Sequence, residues 1–139
     1  IIGGVLTDAK EAQKFVKETR VDSLALSVGS IHGIGSSGLD PRLKMERLKE
    51  IKNKLGNTFL VLHGGSGIKK EDITAGRKLG IVKINVNTNL RMAYTNTLKK
   101  VLRSRPKEIV PYKYLPEVIE AVRKVVEEKI KLFGSQNKC

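Results

Sequence analysis

The chain contains two histidines, His32 and His63, and each is followed by a glycine near the end of a short apolar run. Neutral imidazole groups on rigid strand ends suit Zn²⁺, which takes about four ligands and keeps one position open in catalytic sites. A whole strand–helix unit separates the two histidines, and this spacing matches no local zinc motif. A pair of hydrogen-bonded structural histidines therefore stays an open alternative to a metal site.

A glycine-rich loop follows His63 and reads Gly64-Gly65-Ser66-Gly67. Small residues let backbone N–H groups approach an anion closely, and a helix is predicted to start directly after the loop. Because the first N–H groups of a helix are unpaired and its dipole favours negative charge there, the loop is a candidate phosphate site. A tight turn without a ligand is the alternative.

Three further polar side chains accompany the third apolar run. Asn85 and Asn87 carry amides that can bind hydroxyl or enolate oxygens, and an asparagine in such a run is costly unless it is paired. Arg91 follows one helical turn later and could clamp a second phosphate, although an ordinary surface arginine fits the same pattern.

Alternating strand and helix patterns position these residues. Apolar runs predict strands at 23–28, 59–62 and 81–86, and helical spacing predicts helices at 8–19, 41–55, 71–79, 90–103 and 115–132. This alternation indicates parallel strands whose carboxyl ends share one edge, so the polar loops are expected to meet there. Three strands cannot close a barrel, and both edges of the sheet are therefore expected to be open.

Composition favours a single globular region over 1–139, with 40% hydrophobic and 29% charged residues. No apolar run approaches the ~20 residues that span a bilayer. Cys139 is the sole cysteine, which fits a reducing compartment, and we expect the cytoplasm.

The formal net charge of +13 raises the question of a nucleic-acid partner. Basic residues are interleaved with acidic ones along the predicted helices, which is typical of solvated helix faces. With only 4% aromatic residues, platforms for base stacking are scarce. We therefore expect neither a nucleic-acid nor a membrane partner.

Read together and in order, several segments resemble the class II (zinc-dependent) ketose-bisphosphate aldolases, the fructose- and tagatose-bisphosphate group. The resemblance covers essentially the whole chain and rests on these segments: Glu11-Ala12 with Phe15-Val16, Val21-Asp22-Ser23-Leu24-Ala25-Leu26, Leu60-Val61-Leu62-His63-Gly64-Gly65-Ser66-Gly67-Ile68, Lys83-Ile84-Asn85-Val86-Asn87-Thr88, Lys113-Tyr114-Leu115 and Phe133-Gly134-Ser135. It implies an α/β fold that is the C-terminal part of a (β/α)₈ TIM barrel, with the last three strands and their helices, incomplete as a barrel.

The resemblance also implies an activity: zinc-dependent, reversible aldol cleavage of fructose 1,6-bisphosphate to dihydroxyacetone phosphate and glyceraldehyde 3-phosphate. Such a carbon–carbon lyase belongs to carbohydrate metabolism and glycolysis, and Zn²⁺ acts in it as a Lewis acid. His32 and His63 would be two of three zinc ligands. The full-length form would be a homo-oligomer.

By the same resemblance, the phosphate of dihydroxyacetone phosphate would be cradled by a set of loop residues: Gly33, Gly64, Gly65 and Ser66, with the backbone of Asn85, Val86, Asn87 and Thr88. Asn85 would hold the enediolate, and Arg91 would bind the distal phosphate. Asn87 would lie near the hydroxyls that distinguish sugar epimers. Tagatose-type enzymes usually carry alanine there, so fructose 1,6-bisphosphate is favoured.

The sequence departs from the family pattern in two respects. The third zinc histidine and the proton-transferring aspartate of the family belong to the N-terminal half, and nothing in this chain matches them. The usual Tyr-Lys-Gly of the mobile loop is replaced by the segment Ile34-Gly35-Ser36-Ser37-Gly38. We therefore expect the chain alone to be inactive, with a non-catalytic half-barrel that binds phosphorylated ligands or needs a complementary chain as the alternative.

Overall fold

A computed structural model of the chain describes residues 6–29, 42–65 and 67–138. Its helices and strands alternate along the chain in this order: α1 (Ala9–Thr19), β1 (Ser23–Leu26), α2 (Met45–Leu55), β2 (Phe59–Leu62), α3 (Lys70–Lys78), β3 (Ile81–Ile84), α4 (Thr88–Ser104) and α5 (Pro111–Phe133). They fall into two compact units, Ile1–Val86 and Asn87–Cys139. That 1–139 forms one region of a barrel stays a prediction.

The three strands form one parallel sheet in the order β1-β2-β3, as the alternating pattern predicted. Residue pairs run in register from Ser23 opposite Phe59 to Leu26 opposite Leu62. The outer edges of β1 and β3 pair with no other strand in the described residues. The α/β class and the open sheet are therefore confirmed.

Helices cover one face of this sheet, and most strand residues of the other face are exposed, although Val61 on that face is only 6% exposed. On the covered face, Leu26, Leu60 and Leu62 are at most 1% exposed and share the core with buried residues of α2 and α3. On the other face, Phe59 is 55% exposed, and Ser23 and Ala25 are also exposed. Alternate residues of a strand point to opposite faces, which explains the division.

A β-bulge in β3 interrupts the alternation of its side chains between the two faces of the sheet. Leu60 pairs with Ile81 but Val61 pairs with Lys83, so Val82 is an additional residue on β3. Such a bulge sets two residues against one on the partner strand. Val82 and Lys83 are both exposed, whereas Ile81 is buried on the helix side.

The first helix follows its sequence signals closely. The Asp8 carboxylate accepts hydrogen bonds from the N–H groups of Lys10 and Glu11 at 2.8 and 3.0 Å, an N-cap that satisfies two unpaired donors of the first turn. The Glu11 and Lys10 N–H groups, with Arg47 contributing less, lower the pKa of Asp8. Helix α1 ends at Arg20 in the left-handed conformation, with φ of 56°.

Helix α2 begins later than predicted. The pattern predicts a helix from residue 41, whereas α2 starts at Met45. Before that point, the Leu43 N–H donates to the Asp72 carboxylate and the Lys44 N–H donates to the Val28 carbonyl. These two donors bind outside the segment, so the backbone there is not helical. This boundary of the prediction is wrong because tertiary hydrogen bonds override local propensity.

The second unit contains α4 and α5, which pack against each other as two consecutive helices. Val101 and Val118 are its buried apolar residues. Helix α5 begins at Pro111 instead of the predicted residue 115, because a proline at the first helical position lacks only an N–H that would be unpaired anyway. It ends at Gly134, with φ of 66°. Within the described ranges, no helix combines the length and apolar character needed to cross a membrane.

Gly29, three residues after β1, lies close to the backbone of Arg42. Its φ is +100°, and an added Cβ would lie 2.4 Å from the Arg42 carbonyl oxygen. Gly56 also has positive φ, +55°, but an added Cβ there meets nothing within 4 Å. We expect both variants to lose about 1–3 kcal/mol of the free energy of unfolding to strain at positive φ, and Gly29→Ala to lose more than Gly56→Ala because only its Cβ meets a backbone oxygen.

Urea denaturation followed by circular dichroism measures both variants. Equal midpoints for Gly29→Ala and Gly56→Ala would contradict the close approach of the two backbone segments, since both variants share the strain of positive φ.

Candidate functional site

The carboxyl ends of β2 and β3 bring His63 and Asn85 to one edge of the sheet. The Asn85 N–H donates to the Leu62 carbonyl at 3.1 Å, and the Gly65 N–H donates to the Asn85 carbonyl at 2.9 Å. Both backbone groups of Asn85 are thus engaged, while its side chain and that of His63 are exposed. The exposed imidazole and amide therefore lie at the same edge of the sheet.

The loop after His63 begins with Gly64 and Gly65, which both lie within the described residues. Gly64 adopts a φ of +90°, which a side chain would strain, and Gly65 is buried. Because the Gly65 N–H binds Asn85, it is not available to a phosphate in this arrangement. The predicted anion contact of this loop therefore depends on Gly64 and Ser66, and Ser66 lies outside the described residues.

Helix α3 starts at Lys70, one residue before the predicted start at 71. Its N-cap residue, Lys69, makes no side-chain cap, and its first turn carries Glu71 and Asp72. Carboxylates in the first turn complement the positive end of the helix dipole. The predicted role of this helix start in binding an anion stays a prediction.

A buried carboxylate on α3 anchors the segment that follows residues 30–41. Asp72 accepts hydrogen bonds from Arg42 Nε at 2.9 Å and Arg42 Nη2 at 3.0 Å, and from the Leu43 N–H at 2.9 Å. The Asp72 side chain is 6% exposed, whereas that of Arg42 is 60% exposed. The hydrogen bond from Arg42 is the main cause that lowers the pKa of Asp72, against the opposing effect of burial.

This carboxylate holds the Arg42–Leu43 segment against α3. Residues 30–41 contain His32 and Gly33, and the Arg42–Leu43 segment that ends this stretch is held by a helix that begins after Gly67. At the other end of the stretch, the Lys44 N–H binds the Val28 carbonyl at 2.8 Å. Sequence reasoning did not single out Asp72, since an acid in the first turn of a helix is an ordinary helix-dipole signal.

Three predicted site residues, His32, Gly33 and Ser66, lie outside the described residues. Of the remaining ones in the first unit, Val86 is half-buried and directly follows Asn85.

In the second unit, Asn87, Thr88 and Arg91 lie at the start of α4. The Asn87 carbonyl accepts a hydrogen bond from the Arg91 N–H at 3.0 Å, and the side chains of Asn87 and Arg91 are exposed. Asn89 Oδ1 is buried, with no hydrogen-bond partner among the described residues. Sequence reasoning did not single out Asn89, which carries no pattern of its own.

The described residues supply one imidazole at this edge, that of His63. No group of three or more histidine, cysteine, aspartate or glutamate side chains is placed to hold a metal ion within 6–29, 42–65 and 67–138. This part of the chain alone does not fit a metal site. An exposed imidazole at a strand end is nonetheless a suitable single donor for one.

Comparison with known proteins decides the family. The family model described as "Fructose-bisphosphate aldolase class-II" matches residues 2–138. The chain belongs to this family. Among similar proteins is a sulfofructosephosphate aldolase from Alkalicoccus urumqiensis, 43% identical over 134 residues that are 96% of this chain and 46% of the relative. A probable fructose-bisphosphate aldolase from Bacillus subtilis (strain 168) is 38% identical over 137 residues, 99% of this chain and 47% of the relative.

Solved aldolase structures share the fold. The crystal structure of the YdjI aldolase from Escherichia coli K12 superposes with a TM-score of 0.80 at 38% identity, over 96% of this chain and 47% of that one. The chain thus spans about half the length of the aldolases it matches. Three parallel strands with their helices are consistent with part of an aldolase TIM barrel.

The buried carboxylate of Asp72 yields a test in two parts. We expect Asp72→Asn to lower the free energy of unfolding by about 2 kcal/mol, because hydrogen bonds to a charged acceptor are lost. Glu71→Gln, a neighbouring exposed carboxylate on α3, is the matched control and should change stability by less than about 0.5 kcal/mol. Urea denaturation at neutral pH measures both, and similar losses would contradict the anchor.

The pH dependence provides the second part. A lowered pKa in the folded chain means that Asp72 stabilises the fold fully above the ordinary aspartate value, about 3.9. This contribution is lost as the pH falls through the lower pKa of the folded state. Between neutral pH and that acid range, the stability difference between wild type and Asp72→Asn should shrink. If the stability difference between wild type and Asp72→Asn stays constant as the pH falls through this range, the negative charge of Asp72 is not the origin of the difference.

Proposed function

We propose that this chain forms one wall of a class II aldolase site that cleaves a phosphorylated ketose, with fructose 1,6-bisphosphate as the favoured substrate. The observation that carries the proposal is that two backbone hydrogen bonds join Asn85 to Leu62 and to Gly65, on either side of His63, at one edge of the sheet. Ligands of open α/β sheets and barrels bind at the carboxyl ends of strands, where these residues lie. Family membership supplies the reaction class.

The reaction breaks the bond between C3 and C4 of the ketose. The C4 hydroxyl gives up its proton and becomes the aldehyde of glyceraldehyde 3-phosphate, while the electron pair passes to C3 and the C2 oxygen as an enediolate. Protonation at C3 then gives dihydroxyacetone phosphate. The side-chain amide of Asn85 donates to the enediolate oxygen, a role that its exposed side chain and fully engaged backbone support.

His63 and His32 would hold Zn²⁺ together with a third histidine from outside this chain. When bound, the metal supplies a Lewis acid that polarises the ketone. The proton-transferring aspartate would come from the same outside source. For this reason we propose that the complementary half of the barrel is required, and that this chain alone is inactive.

Residues at the start of α4 would select the substrate. The exposed Asn87 would lie near the hydroxyls that differ between ketose epimers, and Arg91 would bind the distal anionic group. One relative carries the name sulfofructosephosphate aldolase. A ketose phosphate with a sulfonate in place of the distal phosphate is therefore a third substrate to test, alongside fructose 1,6-bisphosphate and tagatose 1,6-bisphosphate.

Cytoplasmic location and a homo-oligomeric full-length form accompany this proposal. Exposed side chains on α5 at a spacing of seven residues, Tyr112, Ile119 and Val126, offer a surface for a second copy. Sedimentation equilibrium of the completed barrel measures its oligomeric state, and a monomer at all concentrations would exclude the oligomer.

Activity of reconstituted halves tests the aldolase proposal. This chain is co-expressed with the N-terminal half of the Bacillus subtilis relative, and cleavage of fructose 1,6-bisphosphate is followed by a coupled assay. We expect cleavage by the pair, none by either half, and loss of cleavage with a chelator. Cleavage that resists complete metal removal would contradict the zinc assignment, and a purified, well-folded pair without cleavage would contradict the reaction.

The role of Asn85 has a matched control in Asn53, which is exposed on α2. In the active pair, we expect Asn85→Ala to lower kcat by about 10²-fold, since it removes one donor to the developing oxyanion. Its stability should change little, because the structural hydrogen bonds of Asn85 come from the backbone. Asn53→Ala should retain full activity. Wild-type kcat in Asn85→Ala would exclude the role.

A non-catalytic half-barrel is the second candidate, and the two open strand edges favour it. Such a chain would bind phosphorylated ligands without cleaving them. Binding of dihydroxyacetone phosphate by the reconstituted pair, with no turnover of any of the three substrates, would support this candidate over the aldolase.

A further inference from the structure

The exposed face of the sheet carries a cation. Lys83 pairs with Val61 in the register of β3 against β2, and the bulge turns it away from the helices. Its neighbours on that face are Ala25, opposite Val61 on β1, and Phe59 two residues earlier on β2. The surroundings of Lys83 within the sheet are therefore small or apolar.

Lys83 lies in β3, two residues before Asn85, on the side of the candidate site towards the amino end of the strand. Leu62 pairs with Ile84, so His63 and Asn85 follow at the next position along their strands. At about 3.3 Å per residue, the Lys83 Cα lies roughly 7 Å beneath the Asn85 Cα on the same face. A lysine side chain at this level points into the space that a closed barrel encloses beneath its active edge.

An enclosed ammonium group requires a partner. Removing a charge from water is costly unless an opposite charge and hydrogen bonds replace the solvent. Within the described residues, no carboxylate forms an ion pair with Lys83, and its neighbours Ala25, Phe59 and Val61 carry none. The partner must come from the part of the barrel that this chain does not supply.

We propose that Lys83 forms an ion pair with a carboxylate on the inner face of the complementary half, one level below the site. This inference rests on the proposed function only in that the chain is part of a barrel. The chain spans 47% of the Bacillus subtilis relative, so the remaining length is sufficient to cover the open face. The ion pair would specify how the two halves fit together.

A protein carboxylate fits this position better than a substrate phosphate. The phosphate candidate Gly64 lies in the loop beyond the end of β2. Lys83 lies within β3, between apolar neighbours of the sheet. The pair is therefore expected to form without ligand, which separates the two possibilities experimentally.

The test measures association of this chain with the N-terminal half of the Bacillus subtilis relative, without substrate or metal. We expect Lys83→Met to raise the dissociation constant by about 100-fold, since it leaves the opposing carboxylate unpaired. Lys83→Glu should weaken association further by repulsion. Lys99→Glu, an exposed substitution on α4 with the same change of charge, is the control and should associate like wild type.

A zero-length carbodiimide cross-link identifies the partner directly. It should join Lys83 of the wild-type pair to an aspartate or glutamate of the N-terminal half, as mapped by mass spectrometry, and this result supports the proposal. Failure of wild-type halves to associate would overturn it, as would equal association of Lys83→Glu and Lys99→Glu. Weaker phosphate binding by Lys83→Met with unchanged association would overturn it in favour of a ligand contact.

These outcomes are independent of catalysis. A pair that associates through Lys83 but cleaves no substrate would contradict the aldolase function and leave the ion pair standing. A wild-type pair that cleaves substrate, with unchanged association in Lys83→Glu, would support the aldolase function and contradict the ion pair.

Discussion

Parallel pairing of β2 with β3 is the constraint on which the candidate site depends. It brings the end of β2 and the end of β3 to the same edge, and the hydrogen bonds from Asn85 to Leu62 and from Gly65 to Asn85 continue the pairing beyond the strands. The loop and the asparagine are thereby fixed through backbone atoms. The side chains of His63 and Asn85 are exposed at this edge.

The buried carboxylate of Asp72 is a second constraint, and it holds the Arg42–Leu43 segment against α3. It is the one charged residue buried in the part of the chain that the structure describes, and it binds both the guanidinium of Arg42 and the N–H of Leu43. A buried carboxylate is stable only with such partners. The open face of the sheet, with Lys83 exposed on it, shows the converse: a surface whose partners lie outside the chain.

Local patterns predicted the order of the elements and the parallel sheet, because apolar runs and helical spacing are properties of neighbouring residues. β2 was predicted with its observed bounds, Phe59–Leu62, since glycine and polar residues end it sharply. The start of α2, the bulge at Val82 and the use of the Gly65 N–H were not predictable. Each depends on a contact with a residue distant in sequence, which no local pattern encodes.

The central claim is that the edge formed by His63, Gly64 and Asn85 binds a phosphorylated ketose once the barrel is complete. The most direct measurement is a titration of the reconstituted pair with dihydroxyacetone phosphate, followed by backbone amide NMR of this chain. We expect saturable shifts centred on Gly64 and Asn85, and none when this chain is titrated alone. Saturable shifts confined to α5, or no shifts in a well-folded pair, would contradict the claim.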